Sequence, residues 1–229
     1  MADSMGHTDS SPFDFLAMAY DAWFEEEGKL IFAIEVRALQ EVLPLLPKLW
    51  LEVGVGSGRF AQALGIETGI DPSVRLLEMA QSRGIKVFRA RGEEQFFNEG
   101  TFGTVFVIVT ICFVDSPIAV LQEARRILKP EGKIVLGLVL RGSPWGKFYQ
   151  SKKREGHHFY KYATFYSYQE VERLLIDSGF TIEKVVSTLF QAPGDVKEKE
   201  APRYGYSVDA GFTIIVAGRT AGSGDKEVS

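Results

Sequence analysis

Residues 50–60 read W-L-E-V-G-V-G-S-G-R-F: an apolar run carrying one acid, Glu52, followed by Gly54, Gly56 and Gly58. Such a stretch folds as a strand that ends in a turn and passes straight into a helix. The glycines remove every Cβ from the inner face of the turn, so a ligand can lie against bare backbone. The free N–H groups at the start of the helix can then hold polar ligand atoms. The remaining chain reads as a scaffold that positions this loop.

Strand and helix patterns alternate downstream. Strands are predicted at 49–55, 68–71, 85–89, 103–111 and 133–140, and two later ones at 181–189 and 211–217. Helices are predicted at 59–64, 72–81, 117–128 and 167–178. The run T-V-F-V-I-V-T-I from Thr104 is apolar without alternation, the mark of a strand buried on both faces in a parallel sheet. Pro72 suits a first helical position, with Asp71 or its neighbour as cap, and Gly179 suits the position just past a helix end. Before the first strand, two amphipathic helical stretches run from Phe13 to Leu46, broken by Glu25, Glu26, Glu27 and Gly28 and closed by Pro44 and Pro47. This alternation predicts an α/β fold with an open, mostly parallel sheet and helices on both faces. Ligands in such sheets bind at the carboxyl ends of the strands, by the topological switch point. Residues 1–11 and 220–229 are small and polar and are expected to be disordered, leaving 12–219 as one domain.

Net charge is −4 and the sequence pI about 5.5, without the basic stripe that nucleic-acid binders carry. The single cysteine, Cys112, excludes an internal disulfide framework and a multi-cysteine metal site. The first ten residues have no apolar core, so no signal peptide is expected. The longest apolar run, 104–114, is too short for a bilayer span, which needs roughly 20 residues. These features together predict a cytoplasmic protein with no nucleic-acid partner and no membrane span, which leaves a small molecule as the expected substrate.

The glycine loop alone is compatible with several adenosine ligands. Dinucleotide enzymes use G-x-G-x-x-G. Here the third glycine comes one place early, at Gly58, and Arg59 stands at the sixth position. Glu52 would repel a pyrophosphate at this loop but suits a ligand with cationic groups. S-adenosylmethionine carries a sulfonium and an ammonium and no phosphate. Asp71, at the end of the second strand, can accept hydrogen bonds from ribose hydroxyls of either ligand. Loop spacing and Glu52 therefore decide for S-adenosylmethionine.

With these motifs in order from about residue 49 to 217, the chain resembles the class I S-adenosylmethionine-dependent methyltransferases, in the broad group that includes small-molecule and quinone-biosynthesis enzymes. L-E-V-G-V-G-S-G resembles the family's acid-x-G-x-G-x-G motif, and T-G-I-D-P-S its second motif. A-R-G-E-E from Ala90 sits where the family contacts adenine, and V-T-I-C-F-V-D from Val109 where it borders cofactor and acceptor. A-R-R-I-L-K-P-E-G-K from Ala124 and the late helix around 165–180 match as well. Arg91, Gly103 and Glu131 depart from the pattern. The resemblance implies a Rossmann-like seven-stranded sheet with the last strand antiparallel, and residues 12–46 as a helical lid. It implies cofactor contacts from Glu52, Gly54, Gly56, Gly58, Asp71, Pro72, Gly92, Glu93 and Thr110, with S-adenosylhomocysteine as product. Acceptor contacts are expected from Tyr20, Trp23, Phe113, Arg141, His158 and Tyr162.

The implied reaction is in-line methyl transfer, which does not oblige a catalytic base, and none is identified. His157 and His158 lack the carboxylate or thiolate company of a metal site, and none is expected. Thr110 to Phe113 read T-I-C-F, unlike the N-P-P-Y-like tetrad of nucleobase and amide N-methyltransferases. The single cysteine argues against the cysteine-dependent arsenite enzymes. The alternatives are a non-catalytic S-adenosylmethionine-binding module and an NAD(P)-dependent oxidoreductase.

Overall fold

A computed structural model describes residues 14–220. The segment 1–11, the first residues of the N-terminal helical stretch and the tail beyond Thr220 lie outside the described residues. Thr220 itself is tied to the sheet, donating its N–H to Gly179 O at 2.8 Å.

Strand β1 (Trp50–Val53) has β2 (Thr68–Asp71) on one side and β4 (Phe102–Ile108) on the other. β3 (Lys86–Arg89) extends the sheet beyond β2, and β5 (Leu128–Leu138) extends it beyond β4. These pairings are all parallel. β8 (Phe212–Arg219) inserts between β5 and β6 (Phe180–Thr188), antiparallel to both. β7 (Arg203–Tyr204) closes the far edge, giving eight strands in the order β3-β2-β1-β4-β5-β8-β6-β7. The chain runs out from β1 through β2 to β3, then returns to place β4 on β1's other side. That reversal opens a crevice at the carboxyl ends of β1 and β4.

The sheet is mostly parallel and its last strand is antiparallel, but it has one strand more than the expected seven. The addition is β7, two exposed residues paired with Val186 and Ser187. A two-residue strand shows no period, so pattern reading passes over it.

Helices α2 (Lys29–Gln40), α3 (Arg59–Leu64), α4 (Val74–Ser82) and α6 (Pro144–Arg154) contribute to the core on one face. On the other face pack α5 (Pro117–Ile127) and α7 (Tyr168–Asp177). β4 is buried throughout and divides its side chains between them: Phe106 and Ile108 one way, Val105 and Val107 the other. α1 (Ala17–Trp23) lies near the carboxyl ends of the strands, packing Tyr20 and Trp23 against the first core.

Serine caps start the later helices. Ser116 accepts from Ala119 N at 3.3 Å with Pro117 following, and Ser167 forms a capping box with Glu170. α6 is built the same way, with Ser143 accepting from Gly146 N at 2.9 Å and Pro144 next. It is an addition to the predicted elements, although its serine-proline start is legible. α4 also corrects an expectation: Ser73 is its cap, accepting from Leu76 N at 3.3 Å, so Pro72 precedes the helix and does not open it.

Candidate active site

At the end of β1 the chain is fastened to β2, with Gly54 N and Val55 N donating to Ile70 O at 2.8 and 2.9 Å. Gly54 and Gly56 then adopt φ of +74° and +52°, in the left-handed region that L side chains avoid. A Cβ on Gly54 would strike the Thr110 side chain. At Gly56 it would stand 3.5 Å from the Tyr20 ring, in a cradle bounded by the lid. A Cβ on Gly58 would come within 2.9 Å of Ala80, so that glycine serves helix packing.

Two carboxylates lie beneath the loop. Glu52 is 1 % exposed, and its Oε2 has no hydrogen-bond partner. Burial raises its carboxyl well above the usual range, the Asp71 charge adds to this, and a hydrogen bond from the Ala61 backbone opposes it. An unpartnered buried carboxylate oxygen favours a cationic neighbour. Asp71 accepts from Gly56 N at 3.0 Å and from Ser73 N at 2.8 Å. Burial pushes it up to about 6, against the pull of those two bonds. Each of its oxygens keeps a second lone pair for a ribose hydroxyl.

α1 covers the loop and is locked to it by charge. Asp21 accepts from Arg59 Nε and Nη2 at 2.9 and 2.7 Å, and from Arg83 Nη2 at 2.8 Å. Arg83 Nη1 also donates to Ser57 O at 2.7 Å, inside the glycine loop. Burial alone would raise the Asp21 carboxyl, yet hydrogen bonds from Arg59, Ser57 and Arg83 hold it well below the ordinary value. Arg59 pairs with Glu25 as well. The arginine that breaks the dinucleotide spacing thus belongs to the lid's latch.

The segments after β3 and β4 border the loop from the other side. Val109 has φ +50°, a strained value for a β-branched residue. Thr110 follows, donating to Ile108 O at 2.9 Å, with its methyl over Gly54. Gly92 is explained by packing, since a Cβ there would meet Val53 at 2.7 Å. Glu93 accepts from Asp115 N and Ser116 N at 3.2 and 3.4 Å, so its carboxylate orders the start of α5. Pro72 is half-buried, and its carbonyl accepts from Arg89 Nε at 3.3 Å.

Beside the loop is a cavity of about 520 Å³. Tyr20 and Trp23 enter it from α1, Glu35 from α2, Cys112 and Phe113 from the turn after β4, and Trp145 and Tyr149 from α6. Tyr160 stacks on Tyr149 at 4.3 Å, and the two hydroxyls interact. Tyr20 joins cavity to loop, feeling the charges of Asp71, Glu52 and Glu35 together. Cys112, half-buried, has its thiol pushed up to about 12 by desolvation, so it lines the cavity as an uncharged group.

Three expected acceptor residues lie outside this lining. Arg141 faces outward and pairs with Glu170 at 3.0 Å. Tyr162 is exposed, with Lys161 over its ring. His158 does not line the cavity, whereas its neighbour His157 does, because adjacent side chains point in different directions. Glu35, Trp145 and Tyr149 were missed. A glutamate on the apolar side of α2, among Ile31, Ile34 and Ala38, is the signal that could have found the first. Among the described residues no cluster of His, Cys, Asp and Glu could hold a metal ion, and no helix is long and apolar enough to cross a membrane.

The fold and this site define an α/β protein whose glycine loop, with Glu52 and Asp71 beneath it and α1 beside it, suits an adenosine ligand with cationic groups. Residues 51–136 match the family described as methyltransferase domain. A crystal structure of a Thermotoga maritima S-adenosylmethionine-dependent methyltransferase, described as a "possible histamine N-methyltransferase", superposes with a TM-score of 0.84 at 36 % identity. The match covers 90 % of this chain and 97 % of that one. An uncharacterized protein of Mycobacterium tuberculosis is 41 % identical over 203 residues, covering 88 % of this chain and 71 % of its own. One from Methanocaldococcus jannaschii is 38 % identical over 205 residues, with 90 % and 97 % covered. The chain belongs to the class I S-adenosylmethionine-dependent methyltransferases. It is an enzyme with S-adenosylmethionine as cofactor, and the oxidoreductase alternative falls. The residues present fit that cofactor: a cationic group answers the unpartnered Glu52 oxygen, and bare backbone at Gly56 leaves it room.

Proposed function

We propose that the methyl acceptor is a small molecule held in the aromatic cavity beside the glycine loop. The observation that carries this reading is the cavity itself. Its volume of about 520 Å³ falls in the range of small-ligand sites, and its lining is mostly aromatic with a few polar groups. Tyr20 and residues 109–113 border both cavity and loop, which supports a common reaction space. The name of the Thermotoga protein, with its small amine, supports a small acceptor here too.

When bound, S-adenosylmethionine supplies an electrophilic methyl group; the acceptor's lone pair takes it, and the C–S bonding electrons stay on sulfur in S-adenosylhomocysteine. The chain's own work is positioning and exclusion of water. Glu52 would answer the cofactor's positive charge, and Asp71 would accept from its ribose. Pro72, Gly92, Glu93 and Thr110 shape the rim. α1 closes over the loop, held by Asp21 on Arg59 and Arg83.

Transfer of labelled methyl into a library of amines, phenols, thiols and quinones tests this. Turnover with members of one class is expected. Label entering only protein or RNA fractions, with every small molecule left unlabelled, would overturn it.

A further inference from the structure

Glu35 is not accounted for by the fold or by the cofactor. It lies in the first core, on α2, and is 6 % exposed. Its neighbours along the helix, Ile34, Ala38 and Leu39, are fully buried apolar groups. Among the described residues no ion pair or hydrogen bond reaches its carboxyl, and burial pushes it up to about 8. A glutamate in such a place costs stability unless something pairs with it. The residue lines the cavity.

The surroundings specify the missing partner. Tyr20, Tyr149 and Tyr160 all feel the Glu35 charge. Their rings, with Trp145 and Phe148, make the lining aromatic, a surrounding that suits a cation. Glu26 and Glu27 also line the cavity, whereas its lysine, Lys152, is paired with Glu155 at 3.3 Å. His157, the other basic group there, is held below its ordinary value by burial, then by the His158 and Lys152 charges. The field therefore favours a positive ligand and disfavours an anion. Glu52 and Asp71 serve the cofactor from beneath the loop, which leaves Glu35 for the acceptor.

We propose that the acceptor is a primary or secondary amine on an aromatic or apolar body, entering as its ammonium, with Glu35 holding that ammonium and receiving its proton. This rests on the small-molecule reading above and names the substrate class within it. The N–H bond breaks, the proton moves to a Glu35 carboxylate oxygen, and its bonding pair stays on nitrogen as the nucleophilic lone pair. Methylation restores one positive charge on nitrogen, and the proton on Glu35 leaves to solvent through the cavity mouth. An ammonium discharges the buried carboxylate as it loses its proton. A phenol brings no countercharge and would leave its own anion in the apolar cavity.

The test is calorimetric titration of the full chain, alone and with S-adenosylhomocysteine, using isosteric pairs: 2-phenylethylamine against 2-phenylethanol, and tryptamine against tryptophol. The amines should bind about tenfold or more tighter than the alcohols, and Glu35→Gln should erase that preference while leaving alcohol affinity unchanged. The S-adenosylhomocysteine-induced melting shift reports that the variant is folded; if it is not, the wild-type pairs decide alone. Equal affinity within the pairs, an unchanged preference in Glu35→Gln, or no binding by any amine overturns the proposal. Methyl transfer to phenols or thiols but not amines also overturns it, with the small-molecule reading left standing. That broader reading fails separately, if no library member of any class is methylated.

Discussion

The loop and the cavity are adjacent and share Tyr20, yet they are made in opposite ways. The loop is local: Glu52 to Arg59 is one short piece of chain, and Asp71 ends the neighbouring strand. Its polar groups are largely partnered within the site, with Asp71 on Gly56 and Ser73, and Arg59 on Asp21. The cavity draws side chains from separate segments: α1, α2, the turn after β4, α6 and residues 157–166. Its buried glutamate, Glu35, has no partner among the described residues. A site that holds a fixed cofactor can be built from backbone and contiguous motif. A site that holds a particular acceptor depends on side chains that only packing brings together.

Replacing Gly54 by valine should break the loop end most severely. The left-handed backbone and the Thr110 side chain both exclude a Cβ there. Cofactor affinity should fall at least about 100-fold and stability by about 2–4 kcal/mol, read by S-adenosylhomocysteine melting shifts and urea unfolding. If the difference between the two regions is real, the folded variant still binds 2-phenylethylamine. A retained melting shift with S-adenosylhomocysteine would show that the backbone at Gly54 does not shape the cofactor site.

A smaller effect is expected at the latch. Asp21→Asn leaves one neutral amide to serve two guanidinium groups. The lid should open more readily and cofactor affinity should fall about tenfold, mostly through faster release, at a cost of roughly 1–2 kcal/mol in stability. Stopped-flow displacement of S-adenosylhomocysteine measures the release rate. An unchanged rate would mean that α1 is held by its aromatic packing alone.

The smallest effect concerns Glu35 and separates stability from recognition. Its carboxyl is raised from 4.5 to about 8 by burial, so the folded chain binds that proton more tightly than the unfolded chain does. The stability this lends is full below 4.5 and is lost as pH rises through about 8. Glu35→Gln has no such proton to lose. Its Tm should match wild type near pH 4.5 and exceed it at pH 9. Parallel melting curves across that range would show that Glu35 is solvated or paired in the empty protein.

The legible parts of the site follow the same division. Glu52, Gly54, Gly56 and Asp71 could be placed together from their spacing, and the fold gathers them at the ends of β1 and β2. Gly92 and Glu93 were readable in position, but their packing and helix-start roles appear only against Val53, Asp115 and Ser116. Among the aromatic residues, Tyr20, Trp23 and Phe113 reach the cavity, whereas Tyr162 points to solvent. Sequence could not separate them, since an aromatic side chain has no direction until its backbone is placed. Arg141 looked available and is spent on Glu170.

What the sequence determined by itself is the parallel α/β core, the glycine turn and the cofactor class. Strand burial, capping serines and left-handed glycines act within a few residues and leave local signatures. What only the tertiary structure decided is the eighth strand, the Asp21 latch across Arg59 and Arg83, and the enclosure of Glu35 among aromatic rings. Each depends on groups far apart in the chain meeting where water is excluded, and a buried charge acquires its meaning from those neighbours.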